Sequence, residues 1–458
     1  MLRITYILLI TCFLLPSCAS SEVKVIPKPS QAQLTWQEAE LGVLICYELH
    51  TFNEGRYNQA LARITPISDA NQFNPDNLDT DQWVKASKDA GAKFAILTAS
   101  HESGFRLWQS QANPFCLSSI EWGDGKRDIV AEFIESCRKY DILPGIYLGT
   151  RWNAQLGVYD FKVTDQSTMT QDEYNQLIEA EVKEICTNYG DWFEFWFDGG
   201  AHGPDQGGPD ILSIVQKYQP NALFYHNLER ADARWGGSET GTVSYPCWAT
   251  FPYVSTGAGE TAKVAINANG FQLLKEGDPN GEYWMPAMSD APLRGYKGHE
   301  WFWEPGDEDL IYPLDKLVDM YTKSVGRNST LILGITPDTT GQIPAPDTRR
   351  LAELGEALDQ VKPHGRAAQR RRFGVRQIET QDLASIRTII IQEDITKGER
   401  VRKYQVKGKK DGNWILLSEG SCIGHKRIEI IDPITVSKVK LEILESIAKP
   451  KIKFFAAY

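Results

Sequence analysis

The segment Trp192-Phe193-Glu194-Phe195-Trp196-Phe197-Asp198-Gly199-Gly200 constrains the fold more than any other. Phe193, Phe195 and Phe197 alternate with Glu194, Trp196 and Asp198 as the two faces of a strand do, and both faces are largely apolar. A strand apolar on both sides must be covered on both, which is the situation of a parallel sheet packed between helices. The run ends in a carboxylate followed by two glycines that let the chain turn away, so it sets one acid at the lip of the sheet. In an α/β barrel that lip is where the chemistry is held. An aspartate capping the next helix is the plain structural alternative.

The flanking sequence repeats a strand-then-helix rhythm. Strands are expected over residues 41–47, 93–99, 143–148, 193–197, 223–225, 283–285 and 331–335, and helices over 80–91 (capped by Thr80 or Asp81), 128–140, 171–189, 211–218 and 314–325. Short parallel strands with helical crossovers give either a closed barrel or an open doubly wound sheet. No G-x-G-x-x-G opens a helix after the first strand, so the expected class is α/β, a (β/α)8-like TIM barrel over residues 30–362. An Arg- and Gln-rich break at 362–372 reads as a linker. Beyond it the helical period is lost, and short alternating strands at 388–392, 401–406, 414–417, 427–431 and 438–443 predict a C-terminal β-sandwich over 373–458. Closing one side of the barrel, or binding glycan, would be its task.

Residues 1–20 carry a basic start at Arg3, an apolar run and Leu15-Pro16-Ser17-Cys18, which resembles a bacterial lipobox. The expectation is an exported lipoprotein of the periplasm or outer membrane, touching membrane only through a lipid anchor at Cys18; a plain secretory signal is the alternative. The remaining Cys46, Cys116, Cys137, Cys186, Cys247 and Cys422 lack C-x-x-C spacing and read as buried small apolar residues. A net charge of -11 without long basic runs speaks against a nucleic-acid surface. The 13 tryptophans and 18 tyrosines suit stacking on sugar rings as well as ordinary packing.

Polar groups recur at the expected strand ends: Glu48 and His50, His101 and Glu102, Arg151 and Trp152, Asp198, His226, then Asp290, Arg294, His299 and Glu300. Any one of them alone reads as a satisfied structural residue. Six loops pointing the same way suggest a site.

Across most of residues 41–458 the chain resembles the α-L-fucosidases of glycoside hydrolase family 29. Phe195-Trp196-Phe197-Asp198-Gly199 looks like that family's nucleophile strand, and Arg234-Trp235-Gly236-Gly237-Ser238-Glu239 is similar to a segment of its 1,3/1,4-linkage branch. The resemblance implies a (β/α)8 barrel, a terminal β domain and a fucosylated oligosaccharide as partner, with Asp198 attacking the anomeric carbon. Departures lie at Cys46 and Glu102, where the family has histidines, and at Pro286-Ala287-Met288-Ser289-Asp290, where the branch carries its acid/base glutamate. A thioether donates no proton, so the acid/base region is divergent.

A retaining glycosidase needs two groups roughly 5–5.5 Å apart. With Asp198 as the first, Glu300 is the expected acid/base, desolvated beside Trp301 and Trp303; His299 is the alternative, and Glu48, Glu102 and Glu239 are also weighed. Pairing with Arg294 is the structural reading of Glu300. The sugar pocket is expected to hold Glu48, His50, His101, Glu102, Arg151, Trp152, His226, Trp235, Glu239 and Trp301. No metal or other cofactor enters the scheme. The expected activity is exo-acting, retaining release of terminal α-L-fucose or a related L-sugar. The altered pocket leaves open an α-L-galactosidase of L-galactose-containing algal polysaccharide, an inverting hydrolase, or a glycan-binding lipoprotein without activity.

Overall fold

The computed structural model describes residues 25–53, 55–257, 271–361, 370–372 and 375–458. The expected signal segment with Cys18, and the linker residues 362–369, lie outside the described residues.

Eight parallel strands form one sheet: β1 (Leu41–Ile45), β2 (Phe94–Ser100), β3 (Leu143–Leu148), β4 (Glu194–Ala201), β5 (Leu223–Asn227), β6 (Arg234–Trp235), β7 (Ala287–Pro292) and β8 (Ser329–Ile335). Their order is β5-β4-β3-β2-β1-β8-β7-β6, the cyclic order of a barrel with its seam between β5 and β6. The helices are α1 (Gln31–Ala39) before β1, then α2 (Thr80–Asp89), α3 (Ile129–Tyr140), α4 (Gln171–Asn188), α5 (Ile211–Tyr218), α6 (Leu314–Ser324) and α7 (Ala345–Val361). Five of them, α1 to α5, start where a polar side chain takes up a free amide. Asp79, not Thr80 or Asp81, caps α2, while Asp128 caps α3 and a Thr170–Glu173 capping box starts α4.

The strand expected at 283–285 is no part of the barrel. Tyr283–Trp284 pairs antiparallel with Thr250–Phe251, and the sixth and seventh barrel positions go to β6 and β7. Two residues of β6 are too few to show a period, and β7 reads Ala-Met-Ser-Asp-Ala-Pro, without the β-branched residues that mark a strand.

Alternation along the strands splits the core in two. Phe195 and Phe197 face the helical shell, packed in one cluster with Ile178 and Val182 of α4. Trp196 faces the barrel interior with Leu44, Cys46, Ile96, Tyr147, Tyr225, Met288 and Ile332. Helix α1 plugs the bottom: Trp36, fully buried, donates from Nε1 to Glu194 Oε2 (2.9 Å), and burial pushes the Glu194 carboxyl up to about 8.

The C-terminal unit is a six-stranded antiparallel sheet of β9 (Arg370–Arg372), β10 (Val375–Glu393), β11 (Val401–Lys410), β12 (Asn413–Gly420), β13 (Arg427–Ser446) and β14 (Ile452–Ala457), with its own apolar core around Ile389, Tyr404 and Val439. The separate strands expected at 427–431 and 438–443 are one strand, its ladder to β10 shifted in register at two places. This unit grips the barrel at the foot of β8. Buried Glu399 accepts from Ala249 N (3.1 Å) and Asn328 Nδ2 (2.5 Å), and Asn328 Oδ1 accepts from His425 N (2.7 Å). Asn328 holds a left-handed φ of 69°, which asparagine adopts more readily than most residues.

Behind the mouth, Arg294 and Asp347 form a bidentate ion pair (2.9 and 2.8 Å) with neither side chain exposed, tying the end of β7 to α7. Removing one partner leaves a buried charge uncompensated. Asp347→Ala is therefore expected to lower the unfolding free energy by about 3–5 kcal/mol. Urea denaturation measures it, and a loss below about 1 kcal/mol would show that the pair does not tie these elements.

Candidate active site

Asp198 lies on the inward face of β4, two residues above Trp196 and four above Glu194. The strand does not stop there. It runs on to Ala201 through Gly199 and Gly200, whose φ values of 66° and 85° shift its register against β5 and open space above the carboxyl. Two adjoining cavities meet over this point, and Trp196, Asp198, Glu239 and Asp290 line both.

The inner cavity is floored by Leu44, Cys46 and Thr98 and walled by His101, Tyr147 and Phe302. His101 stacks on Tyr147 (5.7 Å, 30°) and meets the edge of Phe302 (5.0 Å). Burial pushes the Asp198 carboxyl above its ordinary range. His101 and a hydrogen bond from Tyr147 pull it back, while Glu239 and Glu102 add to the rise. His101 is the basic side chain with the largest effect on it. The Trp196 indole Nε1 is buried without a partner.

Glu239 stands at the rim, its side chain 39% exposed. Its Oε2 accepts from Trp301 Nε1 (2.9 Å) and is in contact with His299 Nε2, leaving Oε1 for other partners. Asp290, on β7, is 5% exposed and accepts from Trp235 Nε1 at Oδ1 (2.9 Å). Burial and the neighbouring Glu239 and Asp198 hold its carboxyl well above the usual range.

The outer cavity gathers Arg151, Trp152, His226 and Trp235. Arg151 pairs with Asp160 (2.7 Å) and, with Arg63, sandwiches the Trp152 ring. His226 holds the Gly257 carbonyl through Nε2 (2.8 Å), and burial lowers it to about 4, so it is neutral near pH 7.

The remaining expected residues fall elsewhere. Glu300 lines neither cavity: it faces Arg56 (3.7 Å), and Arg294 touches it only through the backbone, because the guanidinium belongs to Asp347. His299 reaches the site through Glu239 and not through Glu300. Glu102 is taken up by Tyr57 Oη and Arg63 Nε (both 2.7 Å). Glu48 lies buried behind His101, accepting from Ser103 Oγ (2.5 Å), with His50 and His101 at 3.6 and 3.8 Å. Burial alone would raise its carboxyl, but those neighbours hold it below the usual range. His50 opens instead onto a separate cavity under residues 53–72. Met288 is fully buried in the barrel core, one inward position below Asp290.

Asp290 was expected only as one of the polar groups at the strand ends, and Tyr147, Trp196, Tyr57 and Phe302 were not expected in the site. The inward period of two could have found Trp196 from Asp198 and Tyr147 from its strand. Tyr57 and Phe302 come from loops, where no period exists.

An eight-stranded parallel barrel with carboxylates gathered around a sugar-sized cavity at its C-terminal mouth is the architecture of a glycoside hydrolase. The Alpha-L-fucosidase family model matches residues 30–362, and the chain belongs to that family. It is similar to Alpha-L-fucosidase 1 of Arabidopsis thaliana, 26% identical over 95% of this chain and 88% of that one. Among solved structures it resembles a putative alpha-L-fucosidase of Bacteroides thetaiotaomicron, with 51% identity, a TM-score of 0.90 and coverage of 94% and 99% of the two chains. A glycoside hydrolase 29 family member from an unknown rumen bacterium follows at 26% identity and TM-score 0.80, covering 95% of this chain and 78% of that one.

Trp301 reaches Glu239 because β8 carries Gly334 beneath its ring. A Cβ there would meet Trp301 Cζ3 at 2.5 Å. Gly334→Ala is expected to push the indole away, free Glu239 and lower kcat/KM for an aryl glycoside about 10-fold with little change in melting temperature. Unchanged turnover would mean that the indole does not hold Glu239 in its working position.

Proposed function

We propose that the protein is an exo-acting, retaining α-L-fucosidase in which Asp198 is the nucleophile and Glu239 the acid/base. The observation that carries this reading is that one cavity system is bordered by both carboxyls, one deep and one at the rim. The deep carboxyl attacks the anomeric carbon and forms a glycosyl ester as the glycosidic bond breaks. Glu239, protonated at Oε1, gives that proton to the departing oxygen. As a carboxylate it then takes a proton from the water that hydrolyses the ester. The oxocarbenium-like transition state brings positive charge to Asp198 as the bond forms, so the attraction is strongest where the barrier is highest.

A floor made of barrel core supports action on a terminal sugar. Apolar Leu44, Cys46 and Phe302 suit the methyl group of a 6-deoxy sugar. Glu102, the carboxylate that would receive the extra hydroxyl of L-galactose, is already engaged by Tyr57 and Arg63. His101 and the unpartnered Trp196 Nε1 are the groups to which we assign the ring hydroxyls. Export as a lipoprotein anchored at Cys18 belongs to the same proposal and is supported by the residue pattern of 1–20. Radiolabelled palmitate should enter the wild-type chain and not Cys18→Ala; label in both would remove the anchor.

The deciding experiment uses matched aryl α-L-fucoside and α-L-galactoside. The fucoside is expected to turn over and the galactoside to be poor. Asp198→Gly should lose at least about 1,000-fold and regain turnover with azide, whereas Glu239→Ala should lose most with poor leaving groups. Wild-type protein that binds fucose without releasing an aryl alcohol would overturn the hydrolase reading.

A further inference from the structure

Hydrolysis with retention uses two carboxyls, and this cavity holds three. Asp290 projects from β7 into both cavities and is 95% removed from solvent, reading its 5% exposure the other way. Its Oδ1 accepts the Trp235 indole N–H. The carboxyl also takes a hydrogen bond from its own backbone amide.

The surroundings decide its charge. From β4 it faces Asp198, from the segment after β6 it faces Glu239, and from β5 the Tyr225 hydroxyl lies near. Its register partner on β8 is the apolar Ile332. The basic side chains nearby are committed: Arg151 to Asp160 and the Trp152 ring, His299 to Glu239, His101 to Glu48 and Asp198. His226 is neutral on the Gly257 carbonyl. One indole donor and its own backbone amide do not offset burial and the two neighbouring carboxyls, so the proton stays. With Oδ1 accepting from Trp235, Oδ2 is the oxygen left to carry the proton.

Resting on the assignment of Asp198 and Glu239 above, we propose that Asp290 is a third working carboxyl, held neutral, that donates a hydrogen bond from Oδ2 to an oxygen of the bound glycoside. Neutrality gives it a role that the nucleophile cannot fill. An ionised Asp198 only accepts, and the proton of Glu239 is spent on the departing oxygen, whereas a protonated Asp290 donates and leaves the electrostatic demand of the transition state to Asp198.

The test compares Asp290→Asn and Asp290→Ala with wild type on aryl α-L-fucosides of good and poor leaving groups. Asparagine keeps an oxygen for Trp235 and sets an N–H where the acid proton was. Its kcat/KM is expected to fall by no more than about 10-fold, while Asp290→Ala falls about 50-fold, equally for both leaving groups and without azide rescue. A second reading needs no turnover: the infrared carbonyl band of a protonated carboxyl at neutral pH should be present in wild type and missing from Asp290→Asn in the difference spectrum. Should the asparagine variant fall as far as alanine and the difference band be absent, Asp290 is ionised and the proposal is overturned. A loss confined to poor leaving groups overturns it as well, because Asp290 would then be the proton donor in place of Glu239. If wild type releases no aryl alcohol, the hydrolase reading fails by itself, and the infrared band still decides the state of Asp290.

Discussion

The two-residue period of β4 is the constraint on which the site depends. It aims Glu194, Trp196 and Asp198 into the barrel and Phe195 and Phe197 into the helical shell, so one strand reaches both the plugged bottom and the open mouth. A slip of one residue would exchange these sets, sending a phenylalanine into the cavity and a carboxylate among helices. The apolar shell that forbids this slip is also what fixes the height of Asp198. Stability and placement of the carboxyl are therefore one packing problem.

That placement has an electrostatic consequence. Two inward carboxyls, Asp198 half-buried and Asp290 buried, are each raised by desolvation and by neighbouring carboxyls. By contrast, the arginines close to the mouth are spent on other carboxylates: Arg294 on Asp347, Arg63 on Glu102, Arg151 on Asp160. A basic residue next to Asp198 would make a stable ion pair and a poor nucleophile. The fold stores its cations one layer out, where they brace the walls, and leaves the centre short of positive charge.

The sequence made some of this legible and hid the rest for physical reasons. Strands with both faces apolar and helices with clear caps were readable: β3 and α5 start and end where expected, and α3 follows its Asp128 cap. Strands β6 and β7 were not, because a two-residue strand has no period and Ala-Met-Ser-Asp-Ala-Pro reads as a turn. That gap carried into the site. Without β7, Met288 looked like a vacancy at the mouth, when it belongs to the barrel core and Asp290 stands one inward position higher. The first choice of a second carboxyl therefore fell near Trp301, on Glu300, with Glu239 weighed behind it.

The Trp301 indole explains why sequence proximity misled and spatial proximity does not. Trp301 does sit beside a carboxylate, as the local pattern suggested, but the carboxylate is Glu239, brought from the end of β6 across the mouth. Barrel topology makes this ordinary. β6 and β7 are adjacent strands joined by about fifty residues of excursion, so their C-terminal loops share one edge of the cavity however far apart they lie in sequence. Gly334 on β8 supplies the missing volume for the ring. Three consecutive strands thus converge on one rim carboxyl: β6 leads to it, the loop after β7 holds it, and β8 makes room for the side chain that does the holding.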